Sequence, residues 1–237
     1  MLLPLKDLLT PEEVRQARAR LGAQAPWVDG AGTAGGQAAA LKHNRQLQQD
    51  SDASRGLQAL VAQALERDPL FISAALPRQV LPALFNRYRA PADGGQTMGD
   101  HYGRHVDNAV LRLPGTGTAQ WMRGDLSCTV FLSDPDSYDG GELVVHHSTG
   151  TRAFKLPAGH ALLYPASTVH EVTPVTRGER LAGFFWVQSL VADESRRQIL
   201  FDLDMNLLRL RARHGDSAET TALSGVYHNL LRQWSQL

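Results

Sequence analysis

Residues 160–189 read HALLYPASTVHEVTPVTRGERLAGFFWVQS, and their texture decides the fold. Short runs rich in Val, Leu and aromatic residues stop and restart at turn formers such as Pro165-Ala166-Ser167 and Arg177-Gly178-Glu179. Such runs are too short for helices and too frequently interrupted for a parallel sheet with crossover helices. Working upstream, the same texture begins near residue 79. It continues through QVLPALFNRYR, HVDNAVLRL, LSCTVFLS, GELVVHH and TRAFKL, separated by PGTG, DPDSYDGG, STG and PAG. Together with HALLYP, TVHEVTPV and RLAGFFWVQS these are eight candidate strands. Eight short strands joined by Pro, Gly, Asp and Ser predict an antiparallel sandwich or jelly roll.

Helical patterns flank this core on both sides. Thr10 is placed to cap a helix, Pro11 suits its first position, and Glu13 completes a capping box before VRQARARLG. DGAGTAGGQ, residues 29–37, reads as a glycine-rich loop. In SRGLQALVAQALER, Leu57, Leu60, Val61, Ala64 and Leu65 share one face, and Asp68-Pro69 stops the pattern. Beyond residue 190, Leu200, Leu203, Leu207 and Leu210 recur at helical spacing, Gly215 is a stop, and a last helix begins in DSAETTALSGVYHNLLRQW. The expected plan is mainly β with flanking helices, an α+β arrangement. It comprises an N-terminal helical segment with the glycine-rich loop (1–78), a jelly-roll core (79–190) and a C-terminal helical extension (191–237). The leucine stripe of that extension suits either docking on the β core or association of copies into a homo-oligomer.

Composition narrows the function classes. The 237 residues carry 24 Lys plus Arg against 24 Asp plus Glu, and 43% are hydrophobic. A balanced charge offers no long-range field for phosphate backbones or anionic lipid, so neither nucleic acid nor membrane is an expected partner. One cysteine, Cys128, excludes an intrachain disulfide and a Cys-rich metal site, and reads as a small buried strand residue. MLLPLKDLLTPEE is interrupted by Lys6 and Asp7, too early for a signal peptide or membrane span, so the cytoplasm is the expected compartment.

Two motifs carry possible chemistry. GAGTAG (30–35) fits a dinucleotide-binding glycine pattern, but no buried strand leads into it and no βαβ unit surrounds it, so it reads as a loop. HVDNAV is different. On a strand, His105 and Asp107 would point to one face and offer a nitrogen and an oxygen to a borderline metal. A third ligand must come from elsewhere. His146 and His147 are adjacent, so only one can face inward; His160 follows a turn; His43, His214 and His228 lie in helix-like stretches; His101 sits in the approach to the strand. His170 lies in a strand-like run 63 residues after Asp107, with Arg180 ten residues further on. Two histidines and a carboxylate on one face of a metal leave positions open for other ligands, and an arginine beside them can hold a carboxylate with both arms. Phe184, Phe185 and Trp186 read as core, with Phe184 and Trp186 on one face and Phe185 on the other.

Taken together, FNRY, HVDNAV, DLSCTVFLSDPDSYDGGELVV and LPAGHALLYPASTVHEVTPVTRGERLAGFFWVQS closely resemble the bacterial PKHD-type hydroxylases. WVDGAGTAGGQAAALKHNRQL and the helical tail extend the resemblance over most of the chain. The resemblance implies an Fe(II)- and 2-oxoglutarate-dependent dioxygenase related to prolyl and lysyl hydroxylases. It places the metal ligands on His105, Asp107 and His170, the 2-oxoglutarate arginine on Arg180, and a cosubstrate-pocket aromatic on Tyr88. The implied reaction hydroxylates a C–H bond of a peptidyl or small-molecule substrate, with succinate and CO2 as coproducts and ascorbate as an auxiliary reductant. The implied partners are therefore 2-oxoglutarate, O2 and that substrate. Relatives are associated with iron uptake. VVHH departs from the usual pattern at His146 and His147, and the stretch between Tyr88 and His105 is long. The competing reading is a catalytically silent, cupin-like jelly roll that binds a metal or small ligand.

Overall fold

The computed structural model describes residues 1–33, 39–92, 98–113, 115, 120–147 and 150–237. In chain order the early strands are β1 (Leu3–Leu5), β2 (Trp27–Asp29), β3 (Lys42–His43), β4 (Arg45–Leu47), β5 (Pro77–Val80) and β6 (Leu84–Arg89). Next come β7 (His101–His105), β8 (Val110–Arg112), β9 (Trp121–Arg123), β10 (Leu126–Phe131), β11 (Asp139–Gly140) and β12 (Leu143–His147). The last are β13 (Gly150–Phe154), β14 (Ala161–Pro165), β15 (Val169–Val172), β16 (Val175–Arg177) and β17 (Glu179–Ser189). The helices are α1 (Pro11–Arg20), α2 (Asp52–Glu66), α3 (Pro69–Ala75), α4 (Glu194–His214) and α5 (Ala218–Trp234).

Most strands form two facing antiparallel layers, and β8-β9 and β11-β16 are separate two-stranded ladders. The larger sheet runs β1-β14-β10-β17-β6-β4-β2, with β5 added alongside β17, and the smaller runs β13-β12-β15-β7-β3. This is the jelly-roll core that the turn-punctuated strand runs predict. Period-2 alternation assigns the two faces of the larger sheet. In β10 and β17, Leu126, Cys128, Val130, Leu181, Phe185 and Val187 point to the helical side. There they meet Val14 of α1, Leu57 and Val61 of α2, and Phe71 and Ala74 of α3. Ser127, Thr129, Arg180, Ala182, Phe184 and Trp186 point the other way, into a cavity between the layers. Phe185 is 1% exposed and meets Phe71 edge-on at 6.4 Å. Phe185→Ala should lower the unfolding free energy by about 3–5 kcal/mol, read as a shift of the urea midpoint. A shift below a third of that would mean the helical layer collapses onto the gap.

The helix signals are realised with few changes. Thr10 and Glu13 form the capping box of α1, and Leu57, Val61, Ala64 and Leu65 of α2 are buried. Asp68-Pro69 ends α2 but also begins α3, because Asp68 accepts a hydrogen bond from the Phe71 amide and proline suits the first helical position. Gly215 ends α4 at φ 75°. Leu200 of the leucine stripe packs with Leu76, Val191, Tyr227, Leu230 and Trp234, so that part of the stripe is used within the chain.

Three local readings are corrected. The first 78 residues contribute strands as well as helices, since β1, β2, β4 and β5 join the larger sheet and β3 the smaller. His43 lies in β3 rather than in a helix; the Ala-rich AAALK before it carries helical propensity, but pairing with β7 wins. Asp107 is not on a strand: β7 ends at His105 and the chain bends away before β8. Residues 34–37 of the glycine-rich stretch, and 93–97 of the long segment after Tyr88, fall outside the described residues. Among the described residues no helix is long and apolar enough to cross a membrane.

Candidate metal centre

His105 and His170 are cross-strand neighbours on β7 and β15 in the smaller sheet, with ring centroids 4.2 Å apart. Each ring is held in the same way. Nδ1 of His105 donates to the Gly103 carbonyl at 2.8 Å, and Nδ1 of His170 to the Thr168 carbonyl at 2.9 Å. A carbonyl can only accept, so a hydrogen sits on Nδ1, and in the neutral ring Nε2 has its lone pair available for a metal. Burial, reinforced by neighbouring His170, pushes the His105 imidazole down to about 4. The ring is therefore a neutral nitrogen donor at neutral pH.

Asp107 reaches the same point from the bend after β7. One ligand atom from each of His105, Asp107 and His170 lies within 4.8 Å of the others, with His170 Nε2 3.8 Å from Asp107 Oδ2. Ser127 Oγ on the opposite sheet donates to Asp107 Oδ2. The sequence reading joins His105 and Asp107 for the wrong reason, since strand alternation is not what aligns them. The bend does, and the donor set of two imidazole nitrogens and one carboxylate oxygen suits a divalent iron with positions left open.

Arg180 lines the same cavity from β17, in register with Tyr88 on β6. It is 2% exposed, its guanidinium lies 5.2 Å from the Tyr88 ring and 5.6 Å from the Phe131 ring, and its Nε lacks a hydrogen-bond partner. No carboxylate among the described residues lies within ion-pair distance of it. A buried cation without a counter-ion costs several kcal/mol, so an anion bound in the cavity would offset that cost. Gly141 makes room for it: φ is +65°, and a Cβ there would stand 3.1 Å from Arg180 Cδ and 2.9 Å from Val175 Cγ2. That is a physical reason for the glycine pair in DGGELVV. The Tyr88 phenol is buried and accepts from Asn86 Nδ2 at 3.3 Å. Burial raises its pKa, so it remains a protonated donor.

Five lining residues escape the sequence reading as functional. Tyr102 stacks on the His105 ring at 3.6 Å, and Phe184 and Trp186 meet edge to face at 5.4 Å. All three are half-buried and wall the cavity, whereas Phe185 belongs to the core. The signal was parity: Phe184 and Trp186 share the even positions of β17 with Arg180. Lys42 of β3 donates to Gln46 Oε1 at 3.2 Å and lies 5.4 Å from the Tyr102 ring and 5.5 Å from the Phe184 ring. Burial lowers its ammonium to about 8, against the pull of Asp107 and Asp29. Ser127 is the fifth.

The other histidines stand apart from the cavity. His43 and His101 rings lie against each other at 4.7 Å, His146 Nε2 meets Glu171 Oε1 at 2.8 Å, and His160 Nε2 lies 3.3 Å from Asp7. His214 and His228 are on α4 and α5. Cys128 is fully buried, which raises its thiol pKa.

Comparison with known proteins agrees with this geometry. Residues 83–188 match the family model described as the 2OG-Fe(II) oxygenase superfamily, and residues 193–236 match the PKHD-type hydroxylase C-terminal domain. The chain is 50% identical to a PKHD-type hydroxylase of Polaromonas sp. and 53% identical to one of Verminephrobacter eiseniae, covering 99% of each chain in both cases. Its fold is similar to that of a prolyl hydroxylase from Trichoplax adhaerens solved with a hypoxia inducible factor peptide fragment. The TM-score is 0.54, with 14% identity over 84% of this chain and 86% of that one. The chain belongs to the PKHD-type hydroxylases, Fe(II)- and 2-oxoglutarate-dependent dioxygenases of the 2OG-Fe(II) oxygenase superfamily.

Proposed function

We propose that His105, Asp107 and His170 hold the iron, that Arg180 pairs with the far carboxylate of 2-oxoglutarate, and that the enzyme hydroxylates an apolar C–H group held against Tyr102, Phe184 and Trp186. One observation carries the proposal: the three-residue cluster and a buried guanidinium with no carboxylate beside it among the described residues line a single cavity. A silent metal-binding jelly roll has no use for the second feature.

The iron supplies the redox chemistry when bound, coupling oxidative decarboxylation of 2-oxoglutarate to succinate and CO2 with hydroxylation of the substrate. The protein supplies placement and dryness. The Gly103 and Thr168 carbonyls fix both imidazoles, with Nε2 left to the metal. Arg180 presents a planar fork to a carboxylate, and protonated Tyr88 stacks beneath it. Tyr102, Phe184 and Trp186 form an apolar wall suited to a C–H group, with the Lys42 ammonium beside Tyr102 and Phe184. A peptidyl side chain and an apolar small molecule both satisfy that wall. Ascorbate, in this reading, sustains turnover in the assay, and the cytoplasm is its setting.

The test is succinate formation from 2-oxoglutarate with Fe(II), O2 and ascorbate, in the absence of substrate. Slow, metal-dependent succinate release is expected. Complete inactivity, with or without added candidate peptides, would sink the enzymatic reading in favour of the silent jelly roll.

A further inference from the structure

The two histidines and the aspartate are not held alike. Each imidazole is fixed by a carbonyl two residues upstream on its own chain segment. Asp107 sits in a bend outside any strand, and among the described residues its side chain accepts a hydrogen bond from Ser127 on the opposite sheet. Ser127 is 3% exposed and occupies the cavity face of β10, paired with Tyr164 and Trp186 in register. A hydroxyl buried there without a partner would be costly, and Asp107 is the partner it finds.

The same segment grips the bend a second time. The Gly124 amide donates to the Ala109 carbonyl at 2.9 Å. A Cβ on Gly124 would stand 2.9 Å from the Asn108 carbonyl oxygen and 3.3 Å from Leu111 Cδ1. Any side chain would therefore push the bend, and Asp107 with it, off the sheet. Asp125, between the two contacts, is anchored by Arg123 at 2.6 Å and by the Ser189 amide at 2.9 Å. The gripping segment is itself fixed to the body of the larger sheet.

We infer that residues 124–127 form a positioning element for the carboxylate ligand, with Ser127 setting the orientation of Asp107 and Gly124 setting the height of the bend. The inference rests on the assignment of Asp107 as a metal ligand in the proposed function. Loss of the Ser127 donor frees the carboxylate to rotate about its terminal bond while leaving the packing nearly intact. Partners of metal-ligating carboxylates act on affinity in this way.

The experiment uses metal-free full-length protein and Mn(II), with binding followed by electron paramagnetic resonance and apo-protein stability by thermal melting. Ser127→Ala should weaken Mn(II) binding by about 10–100-fold with little change in apo melting. Gly124→Ala, which keeps Ser127, should weaken it in the same direction. Asp107→Ala is the reference. Should the parent protein ignore Mn(II), or Asp107→Ala bind it as the parent does, the ligand assignment fails and the inference falls with it. Should the parent bind, Asp107→Ala lose binding, and Ser127→Ala and Gly124→Ala bind as the parent does, the positioning role alone is overturned.

Discussion

Asp107→Ala is expected to abolish metal-dependent succinate formation. The loss should exceed the roughly 100-fold that removal of an outer partner of a ligand costs, because a ligand itself is gone. Asp107 is the only carboxylate of the cluster, and its removal leaves two imidazole nitrogens to hold a divalent cation. The remaining pair sits on neighbouring strands of one sheet and closes only one side of the site. Succinate release with saturating 2-oxoglutarate, measured over a range of Fe(II), checks the prediction. Activity restored by high Fe(II) would mean the carboxylate tunes affinity only; undiminished activity at low Fe(II) would remove Asp107 from the ligand set.

Arg180→Ala should raise the 2-oxoglutarate requirement by about 100–4,000-fold and leave the Fe(II) requirement close to that of the parent. The figure follows from the roughly 3–5 kcal/mol at stake when one partner of a buried ion pair is removed, at 1.4 kcal/mol per tenfold. The variant carries a second expectation of opposite sign. Without 2-oxoglutarate the Arg180 guanidinium is buried and has no carboxylate partner among the described residues, so its removal relieves the apo fold of an uncompensated charge. The apo variant should melt no lower than the parent, while 2-oxoglutarate no longer raises its melting temperature. Arg180→Lys keeps the charge but not the fork and should fall between the two. Equal rises in the iron and 2-oxoglutarate requirements would count against the assigned role.

Much of the architecture was legible from residue patterns. Turn residues between short apolar runs marked β10, β12, β13, β14, β15 and β17, and caps marked α1 and α2, because these signals act over a few residues. The strands of the first 78 residues were hidden because their pairing partners lie far along the chain: β1 needs β14, and β4 needs β6. His43 looked helical for the same reason. At the site, H-x-D singled out two members of the cluster through an alternation that β7 does not extend to Asp107. His170 and Arg180 carried meaning only through family resemblance, since nothing local distinguishes a ligand histidine from a buried one. Phe184 and Trp186, which read as core, line the cavity, as their parity with Arg180 indicates, and Trp186 also packs against Leu81, Leu111 and Met122. Lys42 and Ser127 carried no local mark at all, because each acts across the gap between the layers.

That gap gives the site a thermodynamic role of its own. His105 and His170 belong to the smaller sheet, while Ser127, which holds Asp107, and Arg180 belong to the larger. On the proposed assignment, a metal and a dicarboxylate held by these groups would draw on residues of both layers. Ligands that bind only the closed sandwich stabilise it by mass action, about 2.7 kcal/mol at a concentration one hundred times the Kd. On the proposed assignment iron and 2-oxoglutarate would act as folding ligands too, so their removal should lower the melting temperature of the parent protein.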